Sequence, residues 1–204
     1  VARPNTPNFP LNCVTSVIEE VDILKVTGIL VALSIIVAVS GAIAAGAGLF
    51  VRLPGAPYSF NTLRGQSVQI YGQGLYRYDT LFFGAGFKGQ DATALFLGVP
   101  LLLLAVFWYQ RGSLGGHLLL LGALGYFLYL YASMALGAAY NPFFLLYVFI
   151  FSVSLFAFIL AFATVGLDLV AARISDGMPR RGLAIFMFAA GLVTLIVWGA
   201  PLVS

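Results

Sequence analysis

The chain has 204 residues, of which 61% are hydrophobic and only 8% charged, and its mean hydropathy is +1.02. A water-soluble domain carries about a quarter of its residues charged, so this chain is expected to use a bilayer as its solvent. The net charge of +3 comes from scattered Lys and Arg without a basic patch, which argues against nucleic-acid binding. Cys13 is the single cysteine, which rules out an intrachain disulfide and a Cys/His zinc site.

In chain order, residues 1–25 form a polar segment rich in Pro and Asn, with no apolar core of the signal-peptide kind. Five charge-free windows follow, at 26–51, 92–109, 114–136, 143–166 and 183–203. The first would make about 39 Å of helix, enough to cross a hydrocarbon core of about 30 Å with tilt. The expected fold is an all-α integral membrane protein: a five-helix transmembrane bundle over 26–204, with an outer loop of roughly 40 residues at 52–91. "QRGSLGG" (110–116) and "GAAYNP" (137–142) read as tight turns between antiparallel neighbours, and Asn141-Pro142 reads as a helix start. "DLVAARISDGMPRRG" (168–182) reads as a short amphipathic extension with an Asp-Gly turn.

Arg111, Arg173, Arg180 and Arg181 share one side, and the opposing turn 137–142 is uncharged. The positive-inside rule then places the N-terminus in the cytoplasm of a cell-membrane protein and residues 52–91 outside. Within that outer loop, "SVQIYGQGLYRYD" suggests a hairpin about Gly72-Gln73-Gly74. "TLFFGAGFK" (80–88) suggests an interfacial segment with Lys88 reaching for headgroups. Asp91 suits the first turn of the second span, beside the positive end of the helix dipole.

The candidate ligand-binding residues are Arg77, Asp79, Lys88, Asp91, Tyr126, Tyr129, Asn141 and Tyr147. Gly122, Tyr126, Tyr129, Ser133 and Gly137 recur at helical spacing on the third span, and this small, polar face is expected to point inward. Tyr147, Ser154, Ala157 and Ala161 continue such a face on the fourth. Hydroxyls and an amide would then meet under the loop bearing Arg77, Asp79 and Asp91. The same charges also fit a structural role, with Asp79 and Asp91 paired to Arg77 and Lys88. On the first span, Ser34, Ala38, Gly41, Ala42, Ala45 and Gly48 form a small-residue seam, expected to close within the chain. Pro100 is expected to kink the second span.

His117 is the lone histidine, and the sequence contains no G-x-S-x-G, H-E-x-x-H or Walker loop. No cofactor, metal or catalytic residue is assigned. The expected partners are membrane lipids and, on a subunit reading, other membrane-protein subunits, not nucleic acid. Three readings of function follow. In first place stands a non-enzymatic subunit or scaffold of a membrane complex, supported by uncharged spans and the small-residue seam. An outward-facing binding protein or permeation path for a lipid or small neutral molecule comes second. A membrane enzyme acting on lipid headgroups, with Asp79 or Asp91 as base, comes third.

Overall fold

Alternating apolar runs and short turns fold into a mostly helical chain, seen here in a computed structural model. The structure describes residues 11–63, 65–166, 170, 172 and 180–203. The chain divides into two compact units, Val1–Val165 and Gly166–Ser204.

The first unit holds α1 (Leu11–Phe50), a hairpin of β1 (Tyr58–Asn61) and β2 (Ser67–Ile70), then α2 (Leu81–Thr93), which runs through a π-helical turn at Ala94–Gly98 into α3 (Val99–Gln110). Next come α4 (Leu114–Gly137) and α5 (Phe144–Ala163). In the second unit, α6 (Arg180–Val203) covers the expected fifth window. The amphipathic extension expected over 168–182 lies almost wholly outside the described residues. Among the described residues, four helical stretches are long and apolar enough to cross a membrane: Lys25–Phe50, Leu81–Gln110, Leu114–Gly137 and Phe144–Ala163.

Close packing follows from small residues where helices meet. Ser34, Ala38, Gly41, Ala45 and Gly48 of α1 are all buried within the unit, so the small-residue seam closes inside the chain. α4 and α5 pack most extensively, and α1 lies against α5, α2 and α3. α5 buries Tyr147, Ile150, Ser154, Ala157 and Ala161, the face expected from its spacing. α4 turns the other way from expectation. It buries Leu120, Ala123, Leu124, Phe127, Leu130, Tyr131 and Met134, while Gly122, Tyr129 and Gly137 are exposed. The bulky apolar and aromatic stripe fills the space between helices, and Ser133 needs no interior partner because its hydroxyl donates to the Tyr129 carbonyl of its own helix at 2.8 Å.

The second span also differs. Helix begins at Leu81, capped by Thr80, whose Oγ1 accepts a hydrogen bond from the Phe83 N–H at 3.4 Å. "TLFFGAGFK" is therefore helix, and the connection after α1 runs over 51–80 instead of 52–91. Lys88 and Asp91 resemble a boundary because they are charged. The helix accommodates both, with Lys88 exposed and Asp91 buried. Asp91 accordingly lies in the third turn of α2, well past the helix N-terminus where its charge would meet the dipole.

Where a kink is expected at Pro100, the structure has a π-helical turn just upstream, at Ala94–Gly98. Proline lacks the N–H that the carbonyl four residues earlier would receive. The backbone answers with the π turn, in which the Val99 N–H donates to the Ala94 carbonyl.

The hairpin pairs Tyr58 with Ile70 and Asn61 with Ser67, antiparallel, around residues 62–66. The hairpin expected about Gly72–Gly74 is not there: the chain reverses between Asn61 and Ser67, and after β2 residues 71–79 form a loop closed by an isolated bridge of Ile70 to Thr80 and by the Tyr71 N–H donating to the Asp79 carbonyl at 2.8 Å. Gly72 and Gly74, at φ 72° and 65°, supply the left-handed backbone this loop needs.

Candidate functional site

At the hairpin end of the first unit, polar side chains from five segments converge. Tyr76, on the 71–80 loop, is buried and donates its hydroxyl to Asp91 Oδ2 of α2 at 2.6 Å. Its ring packs on Phe87 with centroids 5.5 Å apart. Burial, and next the nearby Asp91 carboxylate, raise the Tyr76 phenol far above its ordinary range, so it remains a proton donor to Asp91.

Space for this pair exists because α1 presents Gly48. A Cβ there would overlap Asp91 Oδ2 and stand 2.9 Å from the Tyr76 oxygen. Three helices or loops thus meet at one carboxylate. On the α4 side, Tyr131 donates to the Gly41 carbonyl of α1 at 3.1 Å, and its ring lies 6.1 Å from that of Tyr147 on α5.

The second carboxylate clamps the cap to the α4–α5 turn. Asp79, 5% exposed, accepts the Ala139 N–H on Oδ1 at 2.8 Å. Burial raises its pKa above the ordinary carboxylate range, and the Ala139 hydrogen bond offsets part of that rise. Asn141 completes the turn. Its Oδ1 accepts from the Phe143 N–H at 2.9 Å, an Asx turn, and its Nδ2 donates to the Ala139 carbonyl at 3.3 Å. The helix start expected at Asn141-Pro142 lies further on: Phe143 is the N-cap and the helix begins at Phe144, because the Asx turn at Asn141 places Pro142 in the turn before it.

Asp79, Asp91, Asn141 and Tyr147 are all buried at this end. Tyr126 is half-buried, with its hydroxyl enclosed. Tyr129 is not part of the cluster, being 60% exposed on the opposite face of α4. Arg77 lies over the Tyr78 ring at 4.6 Å, and Lys88 is exposed. Among the described residues neither Asp79 nor Asp91 has a Lys or Arg partner, so the expected ion pairs are replaced by Tyr76–Asp91 and Ala139–Asp79. Among the described residues, Asp79 Oδ2, Asp91 Oδ1, Gln90 Oε1, Tyr126 Oη and Tyr147 Oη are buried without a hydrogen-bond partner.

Two participants escape a reading of the sequence alone. Tyr76 stands in a loop between Leu75 and Arg77, and nothing in its spacing points to Asp91 fifteen positions later. Tyr131 is the more findable one, since it follows Phe127 by one helical turn on the apolar stripe of α4.

In front of this cluster lies a cleft of about 470 Å3. The end of α1 (Gly48, Leu49), residues 51–55, the 71–76 loop and Lys88 line it. Tyr76 belongs to both structures: it closes the back of the cleft and holds Asp91 behind it. Arg52 and Lys88 are exposed at the rim. Among the described residues no group of three or more His, Cys, Asp or Glu is placed to hold a metal. In comparisons with known proteins the chain matches no family model, no curated relative and no solved structure.

Proposed function

We propose that the chain is a multi-pass cell-membrane protein with five spans and a cytoplasmic N-terminus, whose outward-facing cleft binds a small ligand or a lipid. The observation that carries this reading is the cleft backed by Tyr76, because a preformed concavity resting on a rigid polar support is the common form of a binding site. The Tyr76–Asp91 and Asp79–Ala139 hydrogen bonds act as that support.

The subunit reading rests on uncharged spans, the small-residue seam and the lack of catalytic sets. Lys88 and Asp91 lie inside a long helix, and the α1 seam is occupied within the chain, so less favours it. The headgroup-enzyme reading needs a carboxylate that touches substrate, and both carboxylates sit buried behind other groups.

The test is native mass spectrometry of the full chain extracted from its own membrane in mild detergent. A single chain carrying a lipid or small molecule is expected. Replacing cleft-lining Gln73 by Trp is expected to remove that adduct while leaving elution and helicity unchanged. Stoichiometric protein partners, with no small-molecule adduct, would overturn the binding reading in favour of the subunit one.

A further inference from the structure

The chemistry of the cleft narrows what it holds. Its two charged lining residues are both cations, Arg52 just beyond the end of α1 and Lys88 on α2. They come from elements far apart in sequence and meet at one opening. Of the two tyrosines in the lining, Tyr71 packs its ring against Gly84, and Tyr76 has its proton committed to Asp91, so Tyr76 offers an anion no donor. Asp91 itself stands behind Tyr76 and Gly48 and is not among the lining residues.

Apolar Leu49, Val51 and Leu53 form the wall continuous with α1. The remaining positions are largely small or neutral: Pro54, Gly55, Gln73 and Gly74. A cleft with cations at the mouth and an apolar flank along a hydrophobic helix matches a molecule with an anionic head and an apolar tail.

Depth supports the same conclusion. Lys88 lies about 33 Å along the helix from Gln110 at 1.5 Å per residue, and Arg52 follows the last turn of α1. Both therefore stand near one edge of a hydrocarbon layer of about 30 Å, the level of lipid phosphates. At this level a guanidinium supplies a planar fork for phosphate oxygens and an ammonium supplies a mobile point charge.

Resting on the cleft reading above, we propose that the cleft is a phosphate-binding site for an anionic phospholipid headgroup, with Arg52 and Lys88 as the residues that hold the phosphate. The shared chemistry is a phosphate ester, which a lipid or a soluble phosphate could supply.

The experiment uses the full chain in detergent micelles, with native mass spectrometry and three probes: phosphatidylglycerol, uncharged diacylglycerol and soluble glycerol 3-phosphate. Retention of phosphatidylglycerol over diacylglycerol by about tenfold or more is expected, together with its loss in the double variant R52Q/K88Q. Glycerol 3-phosphate is expected not to displace the lipid at equal concentration. Full displacement would overturn the lipid source and leave a soluble phosphate as the ligand.

Gln73→Trp separates the two levels of the argument. If it removes lipid binding while R52Q/K88Q leaves the preference unchanged, the cleft stands and the phosphate assignment falls. If Gln73→Trp changes nothing while its helicity is intact, the cleft reading falls, and the phosphate assignment falls with it.

Discussion

The two ends of the first unit are held together by different means. At the hairpin end, carboxylates, phenols and an amide are buried and bind segments remote in sequence, as Tyr76 does with Asp91 and Asp79 with Ala139. The opposite end has no buried carboxylate among the described residues; it combines local caps with a few ring and hydroxyl contacts, and Arg111 lies over the Phe107 ring at 4.0 Å. Ser113 Oγ accepts from the Gly116 N–H at 3.3 Å as an ordinary N-cap, and Gly112 at φ 70° turns the chain. His117 Nε2 lies 2.9 Å from the Ala161 carbonyl and its ring meets Tyr109 edge-on at 5.0 Å. A short turn needs only caps to bring two helices together. A long cap carrying its own hairpin must be fixed to the bundle, and in an apolar medium each buried hydrogen bond there is costly to lose.

The comparison breaks most visibly at Gly48. Gly48→Ala forces a methyl into Asp91 and is expected to destabilise the protein by roughly 3 kcal/mol, read by thermal unfolding in detergent. Gly46→Ala, two residues away, meets nothing within 4 Å. It is expected to be neutral or stabilising by less than about 1 kcal/mol. Equal effects would mean that the Gly48–Asp91 packing does not hold the hairpin end.

A smaller effect is expected from the Tyr76 hydroxyl. Tyr76→Phe leaves Asp91 with neither oxygen partnered, at a cost of about 2 kcal/mol. Tyr126→Phe deletes the same atom from a phenol that has no partner, and a change under about 0.5 kcal/mol is expected. The ratio of the two losses measures how much of the hairpin end rests on a specific hydrogen bond and how much on ring packing.

What is legible in the sequence follows the same division. Charge-free windows bounded by turn residues locate α4 within one residue, and the α4–α5 turn is readable from Asn141 because an Asx turn acts locally. The second span is misplaced when charge is treated as a boundary. Asp91 can lie inside a helix only because Tyr76 and Gly48, from two other elements, surround it, and no local pattern records that. The inward face of α4 is misread for a related reason. Tyr129 and Ser133 look like a polar interior, yet the interior is filled by Phe127, Leu130, Tyr131 and Met134. Of the candidate site, the buried acids, Asn141 and Tyr147 are visible as polar outliers. The cleft is not, since Arg52, Gln73 and Tyr76 are brought together only by the fold.

The smallest expected effect concerns Asp79 and depends on pH. Its folded-state pKa is raised by burial, so between the ordinary carboxylate value and the raised one the folded chain holds more protons than the unfolded chain. Stability from this group is therefore greatest below the ordinary carboxylate range, falls as pH rises through the raised value, and is flat above it. Asp79→Asn keeps an oxygen for the Ala139 N–H and cannot ionise. The stability of the wild type minus that of the Asp79→Asn variant is expected to decline with rising pH across that window and then level off. Asp79→Ala lacks the acceptor altogether and is expected to be about 1 kcal/mol less stable than Asp79→Asn at every pH. If Asp79→Asn instead loses stability as Asp79→Ala does, the ionised carboxylate itself is what grips Ala139. The hairpin end would then depend on a buried charge, and its contrast with the opposite end would be sharper than the hydrogen bonds alone imply.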